Sequence, residues 1–377
     1  MKINSLLISA LAGTLALASC VEIKDVAVIN GTVSSKEVTE VHVVVPGTID
    51  TLVTVTDGAF TLEVPTNLEA IGVIVAGDTQ LPFVADGTPL NAVIGEQSEI
   101  TSRYPKVSVN DRFNTFSFEN TRLQTTLNTK MREIYGNAEL DDAQKSEMID
   151  AAFKEIEGQY IDFNKKYCQK NQDNIISLYA LNNLFTTDLE AEEILKLIDG
   201  MSDLHKEDEF VKQILKVENA KINTAEGKPF VDFTVNHVYG YTKSSEPEPL
   251  TQEVKFSDYV GNGKYVLVDF WSPWCGPCKR AIPEVAKIYE KYHGENFNVL
   301  SVAVWEKEEQ SVTIETAAEL GIVWDQINNG GSEPAELYGI LGIPHIMLVG
   351  PDGTILKRGI EPSQLEAVIA EYVTPAE

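Results

Sequence analysis

Apolar positions along the chain change period twice, dividing it into three stretches. From about Ile23 to Ser117 they alternate with polar ones, the spacing of half-buried strands. Val41-His42-Val43-Val44-Val45 ends at Pro46-Gly47, and Thr51-Leu52-Val53-Thr54-Val55-Thr56 follows. Asp57-Gly58 then leads into Ala59-Phe60-Thr61-Leu62-Glu63-Val64, and Asp-Gly between two alternating runs predicts a hairpin. Further strands are expected at Ile71–Ala76 and Leu81–Val84. The stretch reads as a small all-β domain of sandwich type, with no cysteine and only His42 among histidines.

From Asn120 to about Asn223 apolar residues recur at three and four, and no proline intervenes. Ile149, Phe153, Ile156, Tyr160 and Phe163 form one such stripe. Asp188-Leu189-Glu190-Ala191-Glu192-Glu193 resembles a capped helix start with acids in the first turn. His205 lies in a charged stretch and is expected at the surface.

After Thr224 strands and helices alternate. Gly227 to Thr234 begins a strand, Ser244 to Pro249 is a polar loop, and Tyr265 to Phe270 is a buried strand. A helix from Cys278 to about Tyr292, a strand at Val299–Val304 and helices at Val312–Leu320 and Pro334–Tyr338 follow. Strand Ile346–Val349 turns at Pro351-Asp352-Gly353 into Ile355-Leu356-Lys357, and a last helix spans Pro362–Tyr372. The expectation is an α/β domain.

Composition adds an address. Lys2 followed by the mostly apolar Ile3–Leu17 is too short for a comfortable membrane span and has the form of a secretory leader. It ends Leu17-Ala18-Ser19-Cys20, which resembles the bacterial lipobox, in which the cysteine is lipidated and becomes the first residue. The expected layout is a lipoprotein signal peptide at 1–19, a β-rich domain at 20–117, a helical region at 118–223 and an α/β domain at 224–377. The chain of 377 residues is 43% hydrophobic, enough for folded cores, and its net charge of −27 argues against nucleic-acid binding.

Four cysteines are present. With Cys20 assigned to lipid, Cys275 and Cys278 pair with each other and Cys168, in a helical pattern, is left as a packing residue. Cys275 lies at a helix N-terminus, where the helix dipole and free N–H groups favour the thiolate. The thiolate is the form that attacks a disulfide. Two cysteines without a further pair or a nearby histidine do not supply four zinc ligands.

Trp274-Cys275-Gly276-Pro277-Cys278-Lys279 resembles the thioredoxin active-site pattern. The opening Pro229–Thr234 and the insertion after the active-site helix are similar to the TlpA/ResA-like branch, which overlaps the AhpC/TSA superfamily. The preceding β and helical regions, through Asp57-Gly58-Ala59-Phe60 and the domain order, resemble the extension found on lipoprotein thiol-disulfide proteins of Bacteroidetes.

The resemblance implies roles for particular residues. Cys275 is the nucleophile and the more exposed thiol, its pKa below the free value of ~8.5, and Cys278 resolves the mixed disulfide. Asp269, inside an apolar strand, is the buried acid that takes a proton from Cys278; burial raises the pKa of such a carboxylate. Pro283 kinks the helix. Ile343-Pro344-His345 matches the cis-proline turn, with the Ile343 backbone pairing to substrate. Most relatives carry Thr where this chain has His345. Two placements are open for that imidazole: beside the thiolate, lowering its pKa, or out to solvent. Trp274 and Trp271 shield the site, with plain core packing the other reading of Trp271.

The function so implied is a cell-envelope thiol-disulfide oxidoreductase without cofactor, its direction that of a reductase. Its partners are protein thiols and disulfides, apocytochrome c among the possibilities, with electrons from a membrane donor and a lipid anchor in a bacterial membrane. Two alternatives stand beside it. A thiol peroxidase needs Pro-x-x-x-Thr-x-x-Cys, whereas this chain has Val268 and Ser272 at the first two positions. A non-catalytic binding or assembly factor would use the fold as a scaffold.

Overall fold

The computed structural model describes residues 25–375 apart from 188, 308 and 309. Cys20 and the leader lie outside the described residues. The chain divides into two compact units, one ending at Ala180 and the other beginning at Leu181.

The first unit is built on eight strands: β1 (Val26–Val33), β2 (Glu40–Val45), β3 (Ile49–Thr54), β4 (Ala59–Pro65), β5 (Asn67–Ala76), β6 (Thr79–Ala85), β7 (Leu90–Ile94) and β8 (Glu99–Ser102). They form two four-stranded sheets, ordered β4-β1-β7-β8 and β3-β2-β5-β6. Alternate side chains of both sheets, including Ile29, Phe60, Val43, Ile74 and Phe83, share one buried cluster. This is sandwich packing, and it follows from the period of two. Asp57 (φ 51°) and Gly58 (φ 77°) both occupy the left-handed region that a tight hairpin turn demands.

Helices α1 (Val109–Gly136) and α2 (Asp142–Lys170) complete this unit with the first part of α3 (Ile175–Phe185). The alternation read as strand up to Ser117 therefore fails at its end, because α1 starts at Val109. Local capping wins there. Ser108 Oγ accepts from the Asp111 amide at 3.2 Å and donates to the buried Asp86 carboxylate at 2.6 Å. Cys168 is buried in α2, and burial pushes its thiol up to about 12.

The second unit begins in the remainder of α3 and continues with α4 (Ala191–Asp199), α5 (Asp203–Lys206) and α6 (Glu209–Asn223). His205, expected at the surface, is buried at 1% exposure. It lies on the short α5, which packs against α6, so tertiary contact covers a position whose sequence neighbours are charged.

A hairpin of β9 (Thr234–Tyr241) and β10 (Pro249–Lys255) follows. The expected strand at Gly227–Thr234 starts only at Thr234, and Pro229 makes a single bridge to Thr354. Proline has no N–H to donate to a ladder. The remaining elements are β11 (Tyr265–Trp271), α7 (Gly276–Tyr292), β12 (Phe297–Ala303), α8 (Gln310–Glu319), β13 (Asp325–Ile327), α9 (Glu333–Leu337), β14 (His345–Val349), β15 (Ile355–Arg358) and α10 (Leu365–Ala370). They give a five-stranded sheet ordered β13-β12-β11-β14-β15, in which β11 to β13 run parallel, β14 pairs antiparallel with β11, and β15 pairs antiparallel with β14.

Strand β11 is buried on both faces, which explains its unbroken apolar run. Leu267 and Trp271 face one core with Cys275, Cys278 and α7. Val266, Val268 and Phe270 face the other, with Phe256 and Tyr338. Arg358 at the end of β15 ties α6 to this domain. Its guanidinium donates to the Thr224 carbonyl (3.0 Å), Thr224 Oγ1 (2.7 Å) and the Tyr338 carbonyl (2.7 Å).

Candidate active site

Strand β11 delivers the chain to the turn Ser272-Pro273-Trp274, and α7 begins immediately after Cys275. Cys275 is the N-cap residue, with extended backbone, and its sulfur accepts the Cys278 amide at 3.1 Å. That amide is one of the donors a helix start leaves unpaired, so the sulfur sits where negative charge is favoured. Pro277 in the first turn removes a donor that would be orphaned there anyway. Cys275 and Cys278 are joined in a disulfide with Cα atoms 5.3 Å apart. In this oxidised state the expected contrast in exposure is slight, at 3% for Cys275 and 1% for Cys278.

The Ile343–Pro344 peptide is cis. The Ile343 carbonyl lies 3.6 Å from Cys275 Sγ, so the turn before β14 forms one wall of the sulfur site. Trp274, 43% exposed, forms another wall. Its Nε1 donates to the Trp305 carbonyl at 2.8 Å, and Lys307 Nζ lies 4.2 Å above its ring. Trp271 is fully buried in the core and gives the site no exposed surface. Pro283 is exposed on α7, which runs from Gly276 to Tyr292 around it.

Asp269 is 1% exposed, and alternation along β11 directs it to the same face as Leu267 and Trp271, the face of the cysteines. Burial pushes its pKa up to about 7, and the Ser301 hydroxyl opposite on β12 offsets only part of that. The group is therefore a proton acceptor poised near neutrality rather than a fixed anion.

His345 takes neither of the two expected placements. It pairs in register with Phe270 on β14, and the two rings lie 6.2 Å apart on the face away from the cysteines. There it lines a cavity of about 500 Å³ together with Arg358, Leu189, Ile222 and the loop Gly339–Gly342. Burial and the Arg358 charge lower its pKa to about 3, so the imidazole is neutral at physiological pH. Alternation along β14 makes the reason plain: a residue next to the cis-proline can still point through the opposite side of the sheet.

Tertiary packing also brings Trp305, Glu306 and Arg358 into play, none of which stands out in the sequence. The available signal was a tryptophan and an acid directly after the buried strand β12. Among the described residues no group of three His, Cys, Asp or Glu side chains could hold a metal ion, and no helix is long and apolar enough to cross a membrane. Val268, at the position where a peroxidase has proline, is in the core of β11, and the Ser272 hydroxyl is buried without a partner.

The AhpC/TSA family profile matches residues 227–358. The thiol-disulfide oxidoreductase ResA of Bacillus thuringiensis subsp. konkukian is 22% identical over 123 residues, 32% of this chain and 68% of that protein. ResA of Geobacillus thermodenitrificans is 28% identical over 107 residues, 28% of this chain and 59% of that protein. Among solved structures, the thioredoxin domain of a thiol-disulfide oxidoreductase from Bacteroides vulgatus is 26% identical. That match covers 40% of this chain and 99% of that one, with a TM-score of 0.33. With its paired cysteines at a helix start, the C-terminal region resembles thioredoxin-like proteins of the TlpA/ResA type, whose profile overlaps AhpC/TSA, and it has the character of a thiol-disulfide oxidoreductase.

Proposed function

We propose that the chain is a protein-disulfide reductase of the bacterial cell envelope, acting through Cys275 and Cys278. The observation that carries the reading is the Cys278 amide aimed at Cys275 Sγ at a helix start, with a buried Asp269 on the same face of the sheet.

In the reduced chain the Cys275 thiolate attacks one sulfur of a substrate disulfide. A mixed disulfide forms and the other substrate sulfur leaves as thiolate. Asp269 takes the Cys278 proton, and the Cys278 thiolate attacks Cys275 Sγ. The substrate departs with two thiols and the Cys275–Cys278 disulfide remains. Two electrons then return from a membrane thiol carrier. Trp274, Ile343 and Pro344 dock the substrate segment beside the sulfur. Gly276-Pro277 between the cysteines and Ile343 before the cis-proline favour the reducing direction. The Leu17-Ala18-Ser19-Cys20 sequence supports lipid anchoring at Cys20 and an extracytoplasmic location.

The reduction potential of the purified chain tests the direction. A value near thioredoxin's, about −270 mV, is expected, and one near about −120 mV, the range of strong oxidants, would sink the reductase reading. Metabolic labelling with palmitate, lost in Cys20→Ala, tests the anchor.

A further inference from the structure

Two residues after β12, Trp305 and Lys307, grip Trp274 from two directions. The Trp305 carbonyl accepts its indole N–H at 2.8 Å, and the Lys307 ammonium covers its ring at 4.2 Å. Trp305 itself has φ 53°, a left-handed conformation that a bulky residue keeps only when its surroundings hold it.

The holding contacts come from the loop after β13. The Trp305 amide donates to the Gly331 carbonyl at 2.8 Å, and the Gly330 amide donates to the Ala303 carbonyl at 3.1 Å. A Cβ at Gly330 would stand 2.3 Å from the Ala303 carbonyl oxygen, so the two loops pack backbone against backbone. Between the two gripping residues, Glu306 turns inward. Its Oε1 accepts from Thr313 Oγ1 of α8 at 2.6 Å. One inward acid thus joins the Trp305–Lys307 segment to α8, while the Trp305 amide joins it to the loop after β13. None of these contacts involves Cys275 or Cys278.

We propose that Trp305-Glu306-Lys307 is a clamp that sets the position of Trp274 for docking a protein disulfide, with Glu306 as its positioning residue. The proposal rests on the reductase reading and deepens it. The clamp selects for a folded or peptide substrate that lies across the indole, and it leaves the intrinsic reactivity of the cysteine pair alone.

The test uses the full chain, prereduced, and compares the rate of its oxidation by insulin with that by hydroxyethyl disulfide, which is too small to cover Trp274. Glu306→Ala is expected to slow the reaction with insulin about fivefold, the scale of one lost hydrogen bond, and to leave hydroxyethyl disulfide within about twofold. Lys307→Ala, which removes only the ring contact, is expected to slow insulin about twofold to threefold. In a Trp274→Phe background, which lacks the indole donor, Glu306→Ala should add little, because the two changes break one linkage. Equal slowing with both disulfides, or additive effects in the double variant, would overturn the clamp. Should Glu306→Ala fail to fold, an unchanged insulin rate in Lys307→Ala would do the same. A wild-type chain that reacts with neither disulfide would instead defeat the reductase reading itself.

Discussion

The backbone amide of Cys278 donates to the sulfur of Cys275 at 3.1 Å. The donor is main chain, so it survives replacement of the Cys278 side chain. Cys278→Ser should therefore keep the nucleophile and lose only the resolving step. Mixed disulfides with substrate proteins are expected to accumulate in cells expressing this variant and to be absent in Cys275→Ser. Trapping by Cys275→Ser and not by Cys278→Ser would reverse the assignment of nucleophile and resolving thiol.

Asp269 gives a pH signature. Its folded pKa of about 7 lies above the unfolded carboxylate value, so the neutral acid is the form that folding favours. The stability it allows is fully present below about pH 4 and is lost as pH rises through about 7. Asp269→Asn should flatten that decline and be more stable at pH 8, by on the order of 2–4 kcal/mol. It should also slow release of the mixed disulfide. Denaturant midpoints for both proteins at pH 4 and pH 8 check the first claim, and single-turnover kinetics the second.

His345 has the opposite sign. Its folded pKa of about 3 lies below the unfolded imidazole value, so its contribution is present above about pH 6.5 and lost as pH falls. His345→Thr should resist acid better, by on the order of 1–3 kcal/mol at pH 4. Because the ring lies on the face away from the cysteines, the pH profile of Cys275 alkylation should stay where it is. A shift of that profile would place the imidazole in electrostatic contact with the thiolate.

Ser108 caps α1 and also donates to Asp86 at 2.6 Å. Ser108→Ala removes both interactions from a fully buried position. A loss of about 1–3 kcal/mol is expected in the unit that contains the sandwich. Turnover of hydroxyethyl disulfide should be unchanged. Parallel thermal melts and kinetics separate the two effects.

Much of the redox site was legible in the linear sequence because its parts are local. The spacing of Cys275 and Cys278 places both at one helix start, and six residues upstream an acid interrupts the apolar run of β11. The Asp57-Gly58 hairpin is local in the same way, since its turn demands residues that tolerate positive φ. Less legible were features decided between distant segments. Alternation extended past the true start of α1 because Ser108 and Asp86 meet only in the folded chain. The charged neighbours of His205 gave no hint that α5 packs on α6.

What the sequence by itself determined is the period of each stretch and the chemistry of the cysteine pair, both consequences of residues within a few positions of one another. The tertiary structure alone decided which face of a sheet each polar side chain uses. It sent Asp269 towards the cysteines and His345 away from them, and it brought Trp305 and Lys307, beyond the end of β12, to the indole of Trp274. A one-residue change of parity in a strand carries a side chain through the sheet, and only the packing of both faces settles which parity is buried where.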